Sequence, residues 1–247
     1  MVRPVALITG GTGGIGTAIS RELARQGCLV VANYLPSLEA EAKAWQQQQL
    51  TDGIEVELAA GDVSSFEGAQ VMVEDVEKRI GPVDILVNCA GITRDKTLRK
   101  MSEQQWREVM STNLDSVFNV TRQVIEGMAE RGFGRVVNIS SVNGQKGQFG
   151  QSNYAAAKAG IHGFTMSLAQ EVATKGVTVN SVSPGYVATA MTLAMPEEVR
   201  EAIVAQVPMG RMGTPEEIAY VVGCLCDRRA DYITGANIPI NGGLYMS

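Results

Sequence analysis

Short apolar runs alternate with helical stretches along nearly the whole chain, and this alternation restricts the fold more than any other feature. Residues 5–9, 29–32, 54–59, 85–88, 136–139, 177–182 and 237–240 are the apolar runs. Between them, apolar residues fall at helical spacing, as with Ile15, Ala18, Ile19 and Leu23, or Trp106, Val109, Met110, Leu114, Val117 and Phe118. Runs so short and continuous read as strands covered on both faces, and strands that alternate with helices pair in parallel. Right-handed crossovers then place helices on both sides, giving a doubly wound α/β sheet. Helix starts are legible at Ser102, where Ser-x-x-Gln forms a capping box, and at Thr214-Pro215-Glu216-Glu217. Further helices are expected over 65–80 and 152–174. No linker or repeat divides the chain, so the expectation is a single domain over 1–247. The alternation is interrupted at about 190–210, where a small helical flap is expected to cover a site.

The first apolar run leads directly into Thr9-Gly10-Gly11-Thr12-Gly13-Gly14-Ile15-Gly16. A strand, a glycine turn and a helix in that order direct unpaired N–H groups at an anion, and a phosphate fits there. The glycines are expected to divide the work. Gly10 allows the tight turn, Gly14 a close backbone approach, and Gly16 close packing of helix on strand.

A second constellation lies in NISSVNGQKGQFGQSNYAAAK, from Asn138 to Lys158. On a helix, Tyr154 and Lys158 share one face a turn apart. A free phenol titrates near ~10 and is a sluggish acid at neutral pH; a nearby cation is expected to lower that value. Ser141 closes the apolar run 136–139, which sets its hydroxyl at the carboxyl end of a strand, where open α/β sheets bind ligands. The set suits a carbonyl, with Ser141 and Tyr154 donating to its oxygen.

Composition narrows the partners. The net charge of -5 gives no general attraction to nucleic acid or to an anionic membrane, so a small ligand met by local groups is expected. No apolar run approaches the ~20 residues that span a bilayer, and the amino terminus enters a strand without a signal-peptide pattern, so the cytoplasm is expected. Cys28, Cys89, Cys224 and Cys226 lack metal-site spacing and read as buried small hydrophobes, and no metal is expected. His162, the one histidine, has no partner legible in the sequence and reads as packing or surface.

Together, Thr9-Gly10-x3-Gly14-x-Gly16, Asn88-Cys89-Ala90-Gly91, Asn113, Ser141, Tyr154-x3-Lys158 and Pro184-Gly185-x3-Thr189 resemble the classical short-chain dehydrogenase/reductases over essentially the whole chain. The resemblance implies a Rossmann fold, usually a homotetramer, and hydride transfer between a nicotinamide cofactor and a carbonyl or alcohol. It implies that Tyr154 is the general acid in reduction, that Lys158 tunes it and holds the nicotinamide ribose, that Ser141 steadies the carbonyl oxygen, and that Asn113 supports a proton-relaying water. By the same likeness Gly10, Thr12, Gly14, Ile15, Gly16, Asn33, Asp62, Val63, Asn88, Ala90, Gly91, Pro184, Gly185 and Thr189 line the cofactor. Asp62 would meet the adenine and Thr189 the carboxamide. Cys89 stands where a second asparagine is usual.

Within that family the runs NGQKGQFGQ, KAGIHGFT and ALITGGTGGIGTAI are most similar to the acetoacetyl-CoA reductases of polyhydroxybutyrate synthesis. That likeness implies an acyl-CoA substrate and makes Gln148, Phe149, Gln151 and Tyr186 candidate contacts for it. The 3-oxoacyl-(acyl-carrier-protein) reductases share almost every motif; that reading needs a basic patch, for which Arg122, Arg131 and Lys175 are candidates. A dinucleotide-binding regulator without turnover is a third reading, against which the intact Ser141, Tyr154 and Lys158 set argues. The resemblance implies NADPH. Yet the end of the second strand carries Asn33 and Tyr34 rather than an acid or an arginine, and the loop beyond holds Glu39, Glu41 and Lys43, so NADH use is also expected.

Overall fold

A computed structural model describes residues 3–246. In chain order the elements are β1 (Val5–Ile8), α1 (Gly14–Arg25), β2 (Leu29–Tyr34), α2 (Glu39–Thr51), β3 (Glu57–Ala60), α3 (Phe66–Arg79), β4 (Val83–Asn88), α4 (Glu103–Met110), α5 (Ser116–Arg131), β5 (Gly134–Ile139), α6 (Asn143–Lys146), α7 (Ser152–Val172), β6 (Val177–Pro184), α8 (Ala190–Leu193), α9 (Glu197–Val204), α10 (Pro215–Cys226) and β7 (Asn237–Ile240). The seven strands form one sheet in the order β3-β2-β1-β4-β5-β6-β7, and every pairing is parallel.

Alternation along each strand divides the core into two layers. Ala6 and Ile8 of β1 join Ile19 and Leu23 of α1 with Ile218 and Val222 of α10 on one face. Val5 and Leu7 join Met72 and Val76 of α3 with Val120, Val124 and Met128 of α5 on the other. At ~1.5–3 kcal/mol for each buried aliphatic side chain, these layers outweigh the exposed ion pairs, worth ~0–1 kcal/mol apiece.

Two boundaries differ from the sequence reading. β3 starts at Glu57 rather than at residue 54, because the Ile54 N–H closes the end of α2 on the Gln49 carbonyl. The capping box at Ser102 and Gln105 forms, but the helix it opens passes through a π turn, Ser111–Asp115, before continuing as α5. The wider turn shifts the helical period, so the expected apolar stripe does not stay on one face. Val109 and Val117 are buried, whereas Trp106 and Phe118 are exposed, Phe118 against the ring of Phe66. The region expected to form the flap holds α8 and α9.

Chain order reverses between β1 and β4, and at such a point the connections leave in opposite directions and open a crevice at the carboxyl ends of the strands. The turns after β1, β4, β5 and β6 border it.

Candidate active site

The glycine turn after β1 is shaped by contacts that exclude side chains. Gly10 has φ +60°, and a β-carbon there would stand 3.0 Å from the Ala90 backbone. A β-carbon on Gly16 would fall 2.3 Å from the Gly10 carbonyl, so Gly16 packs the helix onto the turn itself rather than onto the strand. Contact with the strand belongs to Gly11, whose β-carbon would meet Ala32 of β2 at 2.7 Å. α1 opens at Gly13 with no side-chain cap for its first-turn N–H groups, and Gly13 and Gly14 at that end are exposed. That cradle fits the diphosphate of a dinucleotide.

Two neighbours hold the cradle. Thr9 Oγ1 accepts the N–H groups of Cys89 and Ala90 at 2.9 and 3.1 Å, fixing the turn after β4 to the turn after β1. Asn33 Oδ1 accepts the Gly10 N–H at 3.2 Å while its Nδ2 donates to the carbonyls of Ala59 and Gly61. Asn33 is therefore consumed in bracing the turn, and its side chain is buried.

Ser141, Tyr154, Lys158 and Asn113 come together around the ends of β4 and β5. The Ser141 hydroxyl accepts the Asn143 N–H at 3.1 Å and stands close enough to the Tyr154 phenol to favour its ionised form. Lys158 Nζ donates to the Ile139 carbonyl at 2.7 Å and lies 5.7 Å from the centre of the Tyr154 ring. A β-carbon on Gly91 would stand 3.4 Å from Asn113 Oδ1 and 3.6 Å from Lys158 Nζ, so both polar heads converge on that backbone. Asn113 sits in the π turn, wholly buried. Two glycines let α7 come close: Gly160 faces Leu114 of the π turn, and Gly144 of α6 lies against the Lys158 backbone.

The electrostatics depart from the sequence reading of a phenol acidified by the amine. Burial raises the Tyr154 phenol, the Ser141 hydroxyl opposes this, and the Asp95 carboxylate adds to the rise. Burial also lowers the Lys158 ammonium to about 8, because loss of hydration penalises both charged forms. Desolvation likewise pushes the Cys89 thiol up to about 11, against the lowering field of Lys158.

Other expected site residues are placed differently. Asn88 is buried between strands: its Nδ2 donates to Thr121 Oγ1 and Asn138 Oδ1, and Asn138 Nδ2 donates on to Thr165. It braces the core rather than lining the cleft. Asp62 folds back on Ser64, accepting from its N–H and its hydroxyl, and the Val63 side chain lies in the core. Thr189 caps α8, with its methyl toward Gly14, 3.0 Å from where a β-carbon would stand. The Pro184 carbonyl is taken by the Val142 N–H, and a β-carbon on Gly185 would meet Asn241 at 2.8 Å. Lys43 is paired with Glu39 at 2.6 Å.

On the substrate side, Gln151 bridges Asn143 and Asp95 by hydrogen bonds of 2.9 and 2.8 Å. The Tyr186 phenol is raised by burial and then by Asp95, which places that carboxylate within reach of both tyrosines. Gln148 accepts from Lys146 Nζ at 2.9 Å, and Phe149 is 88% exposed. Thr9 stood in the glycine motif without a role, and Gly11, Asp95 and Asn143 escaped the sequence reading; the glycine turn itself was the available signal for Gly11. His162, expected to lack a partner, has two: its Nε2 lies 2.8 Å from Ser140 Oγ and 3.2 Å from Ser183 Oγ. Of the cysteines, Cys224 is exposed rather than buried.

The family model of the short chain dehydrogenases matches residues 4–200. An acetoacetyl-CoA reductase of Allochromatium vinosum is 59% identical over 242 residues, covering 98% of each chain, and one of Cupriavidus necator is 53% identical over the full length of both. A 3-oxoacyl-(acyl-carrier-protein) reductase FabG of Pseudomonas aeruginosa is 46% identical over 98% of each. The crystal structure of gox2181 superposes with a TM-score of 0.93 at 34% identity, covering 99% of this chain and 96% of the other. With a parallel sheet crossed by a glycine-turn crevice, and with these matches, the chain belongs to the short chain dehydrogenase family of oxidoreductases.

Proposed function

We propose that the protein reduces acetoacetyl-CoA to (R)-3-hydroxybutyryl-CoA within polyhydroxybutyrate synthesis. The reading is carried by one observation: Lys158, buried, lies 5.7 Å from the centre of the Tyr154 ring, and the buried Ser141 hydroxyl acts on that phenol. The 59% identity to a reductase of that name supports the substrate.

A bound reduced nicotinamide supplies the hydride. Ser141 orients the ketone oxygen, and the protonated Tyr154 phenol gives its hydrogen to the oxygen as negative charge develops there. An elevated phenol suits this role, because it keeps its proton until the far more basic alkoxide forms. Lys158, near 8, is mostly ammonium at neutral pH and assists replacement of that proton, with Asn113 holding the neighbouring backbone. Gly10, Thr12, Gly14, Ile15 and Gly16 hold the diphosphate; Asp62 and Val63 border the adenine end; Ala90, Gly91, Pro184, Gly185 and Thr189 frame the nicotinamide end. Asn33 and Asn88 act by bracing these turns. Gln148, Phe149, Gln151 and Tyr186 meet the acyl and pantetheine groups under a flap formed by α8 and α9, all within one domain.

The cofactor is a reduced nicotinamide, and NADH is accepted as well as NADPH. At the end of β2 the nearest cation, Lys43, is already neutralised by Glu39, so a 2′-phosphate meets no free positive charge there. The carrier-protein reading is less favoured: Arg122 is paired with Glu126, and Arg131 with Asp84 and the Val83 carbonyl, which dissolves most of the basic patch that reading needs. Exposed Phe118 on α5 and Met166 on α7 support assembly into a homotetramer. No helix among the described residues is long and apolar enough to cross a membrane, and the cysteines are free, which agrees with action in the reducing cytoplasm.

The substrate assignment is tested by turnover of acetoacetyl-CoA against carrier-bound and longer 3-oxoacyl thioesters, with each cofactor in parallel. Faster turnover of the carrier-bound substrate overturns it.

A further inference from the structure

The imidazole of His162 lies one turn beyond Lys158 on α7, between two serine hydroxyls. The direction of these hydrogen bonds follows from what else each serine touches. Ser140 Oγ lies 2.8 Å from the Lys158 carbonyl, which can only accept, so its single hydrogen is committed there. Ser183 Oγ lies 2.7 Å from Asn237 Oδ1 and is committed likewise. Both serines must therefore accept from the ring, and Nε2 carries a hydrogen shared between them. Burial and the field of Lys158 lower the pKa of the ring, which favours the neutral form with that one donor.

Ser140 is no ordinary neighbour. Lys158 is gripped at both ends by consecutive residues of one strand end: its Nζ donates to Ile139 O, and its own carbonyl accepts from Ser140 Oγ. Ser141 is the next residue along. We infer that His162 is a positioning residue of the reaction: by donating to Ser140 and Ser183 it locks the Lys158 turn of α7 to β5 and β6, and so sets Lys158 against Ser141. The inference rests on the reading that Ser141 and Lys158 serve the chemistry, and it adds a residue that touches neither cofactor nor substrate. Small displacements of reacting groups are costly in rate, so a link of this kind acts on turnover rather than on cofactor binding.

The test compares His162→Leu, which removes the donor, His162→Gln, which keeps an N–H near the Nε2 position, Ser140→Ala, and the His162→Leu/Ser140→Ala double variant. His162→Leu and Ser140→Ala are each expected to lower kcat roughly tenfold with KM for the reduced cofactor within about twofold of wild type. His162→Gln is expected to recover most of the loss. The double variant should be no slower than the worse single one, because both break the same link. Losses that multiply, or a Ser140→Ala kcat within about twofold of wild type, overturn the inference, and the second criterion stands even if His162→Leu does not fold. A wild-type protein that fails to oxidise reduced nicotinamide with acetoacetyl-CoA refutes the functional reading instead; normal variants of an active enzyme refute the positioning role alone.

Discussion

Asn113 satisfies both backbone groups of Ile92: its Oδ1 accepts the Ile92 N–H at 2.8 Å and its Nδ2 donates to the Ile92 carbonyl at 2.8 Å. The loop after β4 is thereby tied to the π turn, and Gly91 is held between Asn113 and Lys158. Asn113→Ala leaves both Ile92 groups without their partner, at a cost of about 1–2 kcal/mol in a partly solvated setting. Turnover is expected to fall by roughly tenfold or more, since the loop borders the reacting groups. Urea unfolding and steady-state kinetics on the same preparation check both effects.

Lys158 gives a prediction with a defined pH window. Its folded pKa is lowered from 10.5 to about 8, so between those values the unfolded chain holds a proton that the folded chain has released. Stability attributable to this group therefore rises with pH through that window, and below it the folded state bears the full cost of a buried ammonium. Lys158→Met is expected to abolish turnover yet raise unfolding free energy at pH 7 by about 1–2 kcal/mol, after allowance for the lost bond to Ile139. The gain should shrink as pH rises from 8 towards 10.5. A variant less stable than wild type at pH 7 but not at pH 10 contradicts this.

Gly16 has no room for a side chain. Its β-carbon would stand 2.3 Å from the Gly10 carbonyl, and the obstacle is backbone, which cannot swing aside. Gly16→Ala is expected to cost about 1–3 kcal/mol as an overpacked contact and to open the cradle. Protein-fluorescence quenching by reduced nicotinamide should weaken accordingly, whereas Gly163→Ala, on α7 where a β-carbon meets nothing within 4 Å, should leave it unchanged.

The proposed use of both NADH and NADPH makes a prediction at the Glu39 and Lys43 pair. Freed by Glu39→Gln, Lys43 becomes available to a 2′-phosphate, and kcat/KM with NADPH should rise relative to NADH by roughly two- to fivefold, the scale of an exposed ion pair. In the wild type, a preference for NADPH of about a hundredfold or more, worth ~2.7 kcal/mol, would be too large for a site with no free cation there.

Much of this was legible in the sequence because strand and helix periods are local. The seven apolar runs became seven strands, the capping box at Ser102 formed as read, and the helix start read at Thr214 formed with a capping box of its own. Tyr154 and Lys158 share a face because helical spacing fixes it, whereas Ser141 after β5 and Asn113 in the π turn join them through the packing of separate elements. What the sequence concealed depends on tertiary contact. Asn33 and Asn88 look like cleft residues until their amides are seen bracing β2, β3 and β5. Phe118 left the apolar stripe beyond a π turn that no local pattern announces, and Trp106, in α4 ahead of that turn, is exposed as well. The partners of His162 lie 22 and 21 residues away, Ser140 just past β5 and Ser183 on β6, and meet the ring only after folding. The phenol shifts upward rather than downward because burial, invisible in a linear motif, outweighs the lowering effect of the Ser141 hydroxyl.

The central claim is that the Tyr154 phenol donates its proton to the ketone oxygen of acetoacetyl-CoA. It is tested by following reduced-nicotinamide absorbance after addition of that thioester to wild type and to Tyr154→Phe, with cofactor binding measured separately. The account predicts steady loss of absorbance for wild type and none above background for Tyr154→Phe, which still binds cofactor within about twofold because only one hydroxyl is removed. Equal rates for the two proteins, or no turnover by the wild type, would contradict it.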